Sequence, residues 1–310
     1  MKTEKILREG YGHYFGFSGD GTYWASATAG LIHVWKNFDL VSSYEIPGFE
    51  KGNIVFRNDD FIEVGLFEIN FKTQEKIYRE SISEKFALQC EEGKSAHYSQ
   101  YKILEIRNSV KDDLVLVSIG YQPSRRIDRH TTFNGPTNRL LLFSLSSSDL
   151  LRVVAENYDS VRYANLFLTR GEIIFTEDSD TCCVVGKNDT SRMKVAVSEF
   201  IPLHFSEADN SLTGAFKNNY IQIRSASDLN CVWQVPADFA SVNQIDRYKD
   251  LIFAAVNDNS LQVWRAGTID KSPEDQLLFS GGIEAVALNT QSSCLIALSY
   301  TENTIHVISQ

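Results

Sequence analysis

The feature that most constrains this fold is a repeat of short β-strands. In its first unit, β-branched and aromatic residues are concentrated in segments 14–18, 22–27, 31–35 and 41–46, with Gly, Asp or Asn in the turns. Such residues favour strands, and the turn residues permit tight reversals with positive φ. Four short strands per unit predict a four-stranded β-blade rather than a layer of helices.

The same order of strands and turns returns along the chain. Seven third strands are predicted, and 310 residues divided by seven gives about 44 residues per unit, a usual length for a propeller blade. An eighth blade would follow if residues 86–90 opened a further unit. The sequence therefore predicts an all-β propeller with seven blades, and eight is the alternative. The third strands are at 31–35, 67–71, 140–143, 182–185, 220–224, 260–264 and 304–308.

The two ends of the chain complement each other. The last unit, residues 283–308, is one strand short, whereas the N-terminal segment 4–8 has no unit of its own. Pairing the two segments would remove exposed strand edges and close a ring. We therefore expect a single domain over residues 1–310, closed by the N-terminal strand.

Several short motifs resemble the WD40 repeat. In the first unit these are Gly12-His13, the turn from Ser18 to Gly21, and Trp35 after Val34, and in the sixth unit Trp264 follows Val263. The resemblance implies a WD40-like β-propeller that binds proteins through its loop faces.

The sequence departs from that family pattern at three places. Lys36 and Arg265 replace the Asp that follows Trp, and Ala29 replaces the turn Asp. The family's His–Ser–Asp–Trp hydrogen-bond network is therefore incomplete. We expect apolar packing and strand pairing to hold the blades, with Trp35 and Trp264 packed between blades.

Composition disfavours several classes of partner and compartment. Forty acidic and thirty basic residues give a net charge of −10, which disfavours broad binding to nucleic acid or anionic membrane. The N-terminal segment lacks the apolar core of a signal peptide, and no apolar run approaches the length of a membrane span. Five cysteines, an odd number, indicate free thiols in a reducing compartment, so a cytoplasmic protein is expected.

No motif for catalysis or metal binding is found. The six histidines are scattered, and the neighbours Cys182 and Cys183 would point to opposite faces of a strand. The acidic run 177–180 lacks the glycine and distal Glu of a calcium loop and is interpreted as a hairpin turn. The turn 18–24 is interpreted as part of a blade rather than a sialidase-type Asp-box. We predict no enzyme activity, no cofactor and no metal.

One segment breaks the repeat. Residues 121–139 interrupt the connection between the second and third strands of one blade and carry four arginines against one aspartate. Guanidinium groups bind carboxylates and phosphates, and long insertions in compact domains are often functional. A solvated loop without a function is the alternative, and residues 266–276 form a weaker candidate loop. The predicted partner-binding residues are Arg125, Arg126, Arg129, His130 and Arg139.

These patterns predict a non-catalytic interaction scaffold, a subunit of a larger assembly that binds one or more proteins or an acidic peptide. Two other functions stay open at this point. One is a propeller hydrolase or lyase with a metal at the channel mouth, because a fold alone does not define an activity. The other is an RNA-contacting propeller that uses the basic insert, although the net charge disfavours nucleic acid.

Overall fold

The computed structural model describes residues 1–7, 12–28, 30–47, 49, 51–82, 84, 98–123, 138–156, 166–169, 171–177, 181–187, 195–217, 219–236, 242–256, 259–268, 272–290, 294–299 and 304–309. These residues form twenty-eight β-strands. A single 3-10 turn, Val110–Asp112, separates two of the strands.

The strands have these bounds in chain order: β1 Lys2–Leu7, β2 Tyr14–Phe17, β3 Tyr23–Thr28, β4 Leu31–Lys36, β5 Asp39–Glu45, β6 Ile54–Phe56, β7 Phe61–Val64, β8 Phe67–Asn70, β9 Glu75–Tyr78, β10 Tyr98–Ser109, β11 Leu114–Pro123, β12 Asn138–Ser144, β13 Leu150–Glu156, β14 Phe167–Leu168, β15 Glu172–Glu177, β16 Thr181–Gly186, β17 Val195–Val197, β18 Phe200–Ser206, β19 Ser211–Phe216, β20 Tyr220–Ser225, β21 Cys231–Pro236, β22 Val242–Tyr248, β23 Leu251–Val256, β24 Ser260–Arg265, β25 Asp275–Leu278, β26 Ile283–Asn289, β27 Cys294–Ser299 and β28 Thr304–Ser309.

Six antiparallel sheets each consist of four consecutive strands, and we number them as blades in chain order. Blade 1 is β2–β5, blade 2 is β6–β9, blade 3 is β10–β13, blade 4 is β14–β17, blade 5 is β18–β21 and blade 6 is β22–β25. A further sheet, the closing sheet, has the order β1-β28-β27-β26. There β1 pairs antiparallel with β28, with Leu7 opposite Ile305 and Ile6 opposite His306.

The predicted count of seven or eight blades needs correction. Six blades are complete repeats of consecutive strands, because the closing sheet takes three strands from the C-terminal end of the chain and one from the N-terminal end. The count of third strands treated the last unit as a whole blade, although that unit contributes only three strands. The described residues form no sheet beyond these, and residues 86–90, on which the eighth blade depended, lie outside them.

The sheets follow one another around a centre. The first strands of neighbouring sheets contact each other around much of the ring, from β2 to β6, β10 and β14, and from β18 to β22, β26 and back to β2. Between blades 4 and 5 the contact runs from β16 to β18. The chain enters each sheet at the start of its first strand, and the following strands alternate in direction. The connections between sheets therefore lie on the same face of the ring as the turns between second and third strands. We call this the upper face, and the opposite one the lower face.

The core lies between the sheets rather than within any one of them. Each pair of neighbouring sheets encloses its own apolar cluster, such as the one that joins Leu66 of blade 2, and Ile82 just after that blade, to Ile106 and Val117 of blade 3. Sheets buried on both faces have continuous apolar runs, which is why strands such as β23 lack alternation.

Trp35 and Trp264 pack between sheets, as predicted. Trp35 stacks on Trp24 with ring centroids 4.9 Å apart, in a cluster with Ile305 of the closing sheet. Trp264 packs in the cluster shared by blades 5 and 6. Part of the expected hydrogen-bond network is present, because Trp35 Nε1 donates to Ser26 Oγ at 3.2 Å. The turn at Ser18 joins a first strand to a second strand, as the sequence indicated.

Candidate protein-binding face

A two-stranded arm rises from the upper face of blade 3. Strands β10 and β11 have twelve and ten residues, and their pairing continues to Tyr98 opposite Pro123. By contrast, β12 joins β11 only from Asn138 opposite Gly120. The insert 124–137 therefore leaves from the tip of the arm and returns at its base. The predicted loop 121–139 is too long at both ends, because strand pairing extends into residues 121–123 and 138–139.

Four of the five predicted partner-binding residues, Arg125, Arg126, Arg129 and His130, lie outside the described residues. The fifth, Arg139, is in β12 between Ile119 and Glu156. Neighbouring residues of a strand face opposite ways, and Leu140 packs toward blade 4. Arg139 therefore lies on the side of the sheet that faces blade 2.

A second group of charged residues, on β10 and in the segment before β6, was missed by sequence reasoning. Lys51 Nζ lies 3.2 Å from Glu105 Oε2, and Arg107 Nε donates to Glu105 Oε1 at 2.6 Å. Leu166 N also approaches Glu105 Oε1, at 3.4 Å. We call Lys51, Glu105 and Arg107 the basic cluster, since it holds two cations and one carboxylate.

Local structure explains how these residues meet. Glu105 and Arg107 are two positions apart on β10 and so share a strand face. Lys51 arrives from the connection between blades 1 and 2, where Ile106 N donates to Lys51 O at 2.8 Å and Gly52 forms a parallel bridge with Ile106. A Cβ on Gly52 would collide with the Ile106 carbonyl, so only glycine permits this approach.

The basic cluster lies along β10, below the arm. Glu105 is opposite Ser118, and Arg107 is opposite Leu116, two positions from the lower hairpin that follows Ser109. Side-chain exposure is 20% for Lys51, 17% for Arg107 and 5% for Glu105. Burial lowers the pKa of Lys51, and the charge of Glu105 opposes that decrease. The only sequence signal for this group is the i, i+2 spacing of Glu105 and Arg107.

A different charged group lies inside the protein between blades 2 and 3. The fully buried Glu63 accepts from Arg57 at 2.5 Å and from Arg79 at 2.7 Å. Both arginines also approach Glu68 at 3.2 Å. Burial raises the pKa of Glu63, and the hydrogen bond and charge of Arg79 oppose that rise. The group contains two acidic and two basic side chains, so its charges balance. We therefore interpret it as stabilising the contact between the blades rather than as a binding site.

The remaining candidates are placed as follows. Glu177 ends β15 opposite Thr181 in a hairpin, and residues 178–180 lie outside the described part. The candidate loop 266–276 is shorter than predicted, because β25 begins at Asp275; residues 266–274 join β24 to β25 on the lower face, where Glu274 pairs with Arg265. Cys182 and Cys183 are buried free thiols, and Cys231 is an exposed one. Among the described residues, no group of three His, Cys, Asp or Glu side chains could hold a metal ion.

Comparisons with known proteins identify the fold. No family model matches the sequence, and no curated protein matches it either. Among solved structures, the protein is similar to the β-propeller domain of Cps50 (Swd1) from Myceliophteria thermophila, with a TM-score of 0.68 and 10% sequence identity. The match covers 100% of this chain and 99% of that one.

The fold is thus that of a WD40-like β-propeller, as the motifs around Trp35 and Trp264 predicted. At this level of identity the likeness concerns the fold alone. Within the described part of the chain, no helix is both long and apolar enough to cross a membrane.

Proposed function

We propose that residues 1–310 act as one non-catalytic propeller domain, a scaffold subunit of a larger cytoplasmic assembly that binds an acidic segment of a protein partner. The observation that carries this proposal is the arm of blade 3. Its paired strands extend beyond β12 on the upper face and flank the arginine-rich insert in the sequence. Closed strand ladders fix the base of the arm, so less ordering entropy is lost when a partner binds there.

The likeness to the propeller domain of Cps50 (Swd1) supports the choice of a scaffold only through the shared fold. The charge pattern supports the acidic partner. The protein carries a net charge of −10, yet Arg125, Arg126, Arg129 and Arg139 are concentrated within fifteen residues. Guanidinium groups form bidentate hydrogen bonds with carboxylates, which suits an Asp- or Glu-rich segment.

The test is charge reversal of the insert. Arg125, Arg126 and Arg129 are changed together to Glu in the full chain, and the proteins that co-purify are compared with those of the wild type by quantitative mass spectrometry. We expect the specific partners to be lost while the thermal melting temperature stays unchanged.

The matched control reverses three exposed lysines of the lower face, Lys36, Lys111 and Lys249, to Glu. This variant changes the net charge by the same amount, and we expect it to keep the partners. Equal loss in both variants would show a general charge effect, and retention of all partners by the insert variant would refute the assignment of the binding site.

A further inference from the structure

Arg224 is a buried cation without a carboxylate partner. It lies in β20 of blade 5, opposite Leu212 of β19 and Cys231 of β21, and only 9% of the residue is exposed. Its hydrogen bonds go to uncharged acceptors, and no described carboxylate forms an ion pair with it. A buried charge is destabilising unless it is paired. The described arginines that do pair with carboxylates are Arg57, Arg79, Arg107, Arg247 and Arg265.

Uncharged groups hold the guanidinium of Arg224 in place. Its Nε donates to Gln222 Oε1 at 2.8 Å, and its Nη1 donates to Leu229 O at 2.6 Å. The ring centroids of Phe200 and Phe216 lie 5.1 and 5.4 Å from Cζ. Cation–π contacts offset part of the free energy that the cation loses on leaving water. The four contacts therefore fix the orientation of the guanidinium and leave its charge unneutralised.

The amide that meets Arg224 is itself held in one orientation. Gln222 is 2% exposed, and its Nε2 donates to Oε1 of the exposed Gln234 at 3.0 Å. Because Nε2 is engaged there, Oε1 is turned toward Arg224. A chain of hydrogen bonds thus runs from the surface to Nε of Arg224 and leaves the Nη side of the guanidinium for other acceptors.

The facing wall of blade 4 supplies no anion among its described residues. The cluster between blades 4 and 5 takes Ile174, Cys182 and Val184 from blade 4, all of them apolar or neutral. Burial raises the pKa of the Cys182 thiol, and the charge of Arg224 only opposes that rise. The thiol therefore stays protonated at neutral pH and does not serve as a counter-ion.

Part of the guanidinium is open to solvent. An arginine side chain has five N–H donors, and the hydrogen bonds to Gln222 and Leu229 use two of them. Nη2 has no acceptor in the described part of the chain, yet it is not one of the buried side-chain atoms that lack a partner. Nη2 therefore reaches water, and an anion can approach it from outside.

We propose that Arg224 anchors a carboxylate-binding site at the junction of blades 4 and 5. One carboxylate neutralises one guanidinium and forms charge-assisted hydrogen bonds with it. A phosphate dianion would bring more negative charge than a single cation neutralises, beside the apolar wall of blade 4. The ligand is thus one carboxylate, carried either by an Asp or Glu side chain of a protein partner or by a small free acid.

This site is separate from the proposed function. The arginine-rich insert joins two strands of blade 3 on the upper face, whereas Arg224 is one residue before the end of β20 at Ser225, where a turn of the lower face begins. Loss of carboxylate binding at Arg224 would leave the role of the insert untouched, and the reverse also holds.

NMR of arginine side chains in the full-length protein tests the site. Sodium propionate is added at constant ionic strength, and the Nε–Hε signals of Arg224 and Arg247 are followed, with Arg224 assigned by its absence from Arg224→Lys. We expect a saturable shift of the Arg224 signal alone, because Arg247 is already paired with Asp209. An unmoved Arg224 signal, or equal and unsaturable shifts of both arginines, would refute the site.

Variants measure how much the guanidinium contributes. Arg224→Lys keeps the charge but loses the planar donor group, and it should weaken propionate binding about tenfold. Arg224→Gln should abolish binding, with the side-chain amide signal of Gln222 as the reporter in both variants. The control Arg247→Gln should leave the affinity unchanged. Unchanged affinity in Arg224→Gln would place the ligand elsewhere. If that variant does not fold, Arg224→Lys and the wild-type titration decide.

Two further probes identify the ligand. The first is a short alanine peptide with blocked ends and a single Glu, and the second is inorganic phosphate. Tighter binding of the peptide than of propionate indicates a protein partner, and the opposite order indicates a small free acid. Both results uphold a carboxylate site. Tighter binding of phosphate than of either, lost in Arg224→Gln, would overturn the assignment to carboxylates.

Discussion

Two seams of the ring are held by different chemistry. Where the closing sheet meets blade 1, Trp24 and Trp35 stack with an interplanar angle of 5° against Leu7 and Ile305. We call this the aromatic seam. Where blade 2 meets blade 3, the ionic seam consists of Glu63, Glu68, Arg57 and Arg79 beside an apolar cluster.

The ionic seam reaches across the blades through hydrogen bonds. Arg79 Nη1 donates to Leu145 O at 3.4 Å, and Asn53 exchanges two bonds with the backbone of Asn108, at 2.7 and 2.8 Å. The comparison teaches that this fold fixes where neighbouring sheets meet without fixing what joins them. Apolar contact stabilises by removing area from water, whereas buried charges stabilise only when each is paired.

The largest effect is expected in the aromatic seam. Trp35→Ala removes a ring that is 3% exposed and should lower the free energy of unfolding by about 3–5 kcal/mol. Chemical denaturation measures the loss. The control Leu40→Ala removes an exposed side chain directly opposite Trp35 on β5 and should cost less than about 1 kcal/mol. Equal losses would show that the seam does not depend on the stacked rings.

The ionic seam should respond less, since a hydrogen-bonding side chain can remain. Glu63→Gln keeps the shape but weakens the bonds to Arg57 and Arg79, and we expect a loss of about 2 kcal/mol by denaturation. Glu68→Gln is the matched control, because Glu68 faces the same two arginines from the paired strand but is 18% exposed. Its loss should stay below about 1 kcal/mol. The reverse order would contradict the importance of burial.

A smaller effect is expected from the polar bond within the aromatic seam. Ser26→Ala leaves the buried Trp35 Nε1 without its acceptor and should cost about 1 kcal/mol. The change is measured by denaturation against Ser43→Ala, whose hydroxyl bonds the exposed ring of His33. A cost near that of Trp35→Ala would mean that the hydrogen bond, rather than ring packing, joins the seam.

The smallest effect is expected in the turn that precedes Trp24. The Ser18 hydroxyl donates to Asp20 at 2.6 Å and, with Thr22 N, lowers the pKa of Asp20 from 3.8 to about 2. Because the folded-state pKa is the lower one, this stabilisation is present above pH 3.8 and is lost as the pH falls toward 2. In Ser18→Ala, the pKa of Asp20 measured by NMR titration should move back toward 3.8. No movement would contradict the role of the hydroxyl.

Sequence reasoning was most successful where the chain is regular. Trp35 and Trp264 mark third strands, and the clasp between the chain ends followed from counting strands at each end. Both depend on local periodicity, which is visible in a single sequence. The arm was interpreted as a plain loop from Tyr121, because the segment includes the turn-forming residue Pro123 and pairs with a distant segment that begins at Tyr98.

The sequence alone determined that this protein is an all-β propeller shut by its own N-terminal strand, because strand spacing and turn residues are local properties. Only the tertiary structure decided that six blades are complete repeats, that Glu63 is enclosed by two arginines, and that Lys51 meets Glu105 and Arg107. Lys51 and Glu105 come from segments tens of residues apart, the two arginines at Glu63 come from the ends of other strands, and the free energy of a buried charge depends on partners whose positions only the folded ring defines.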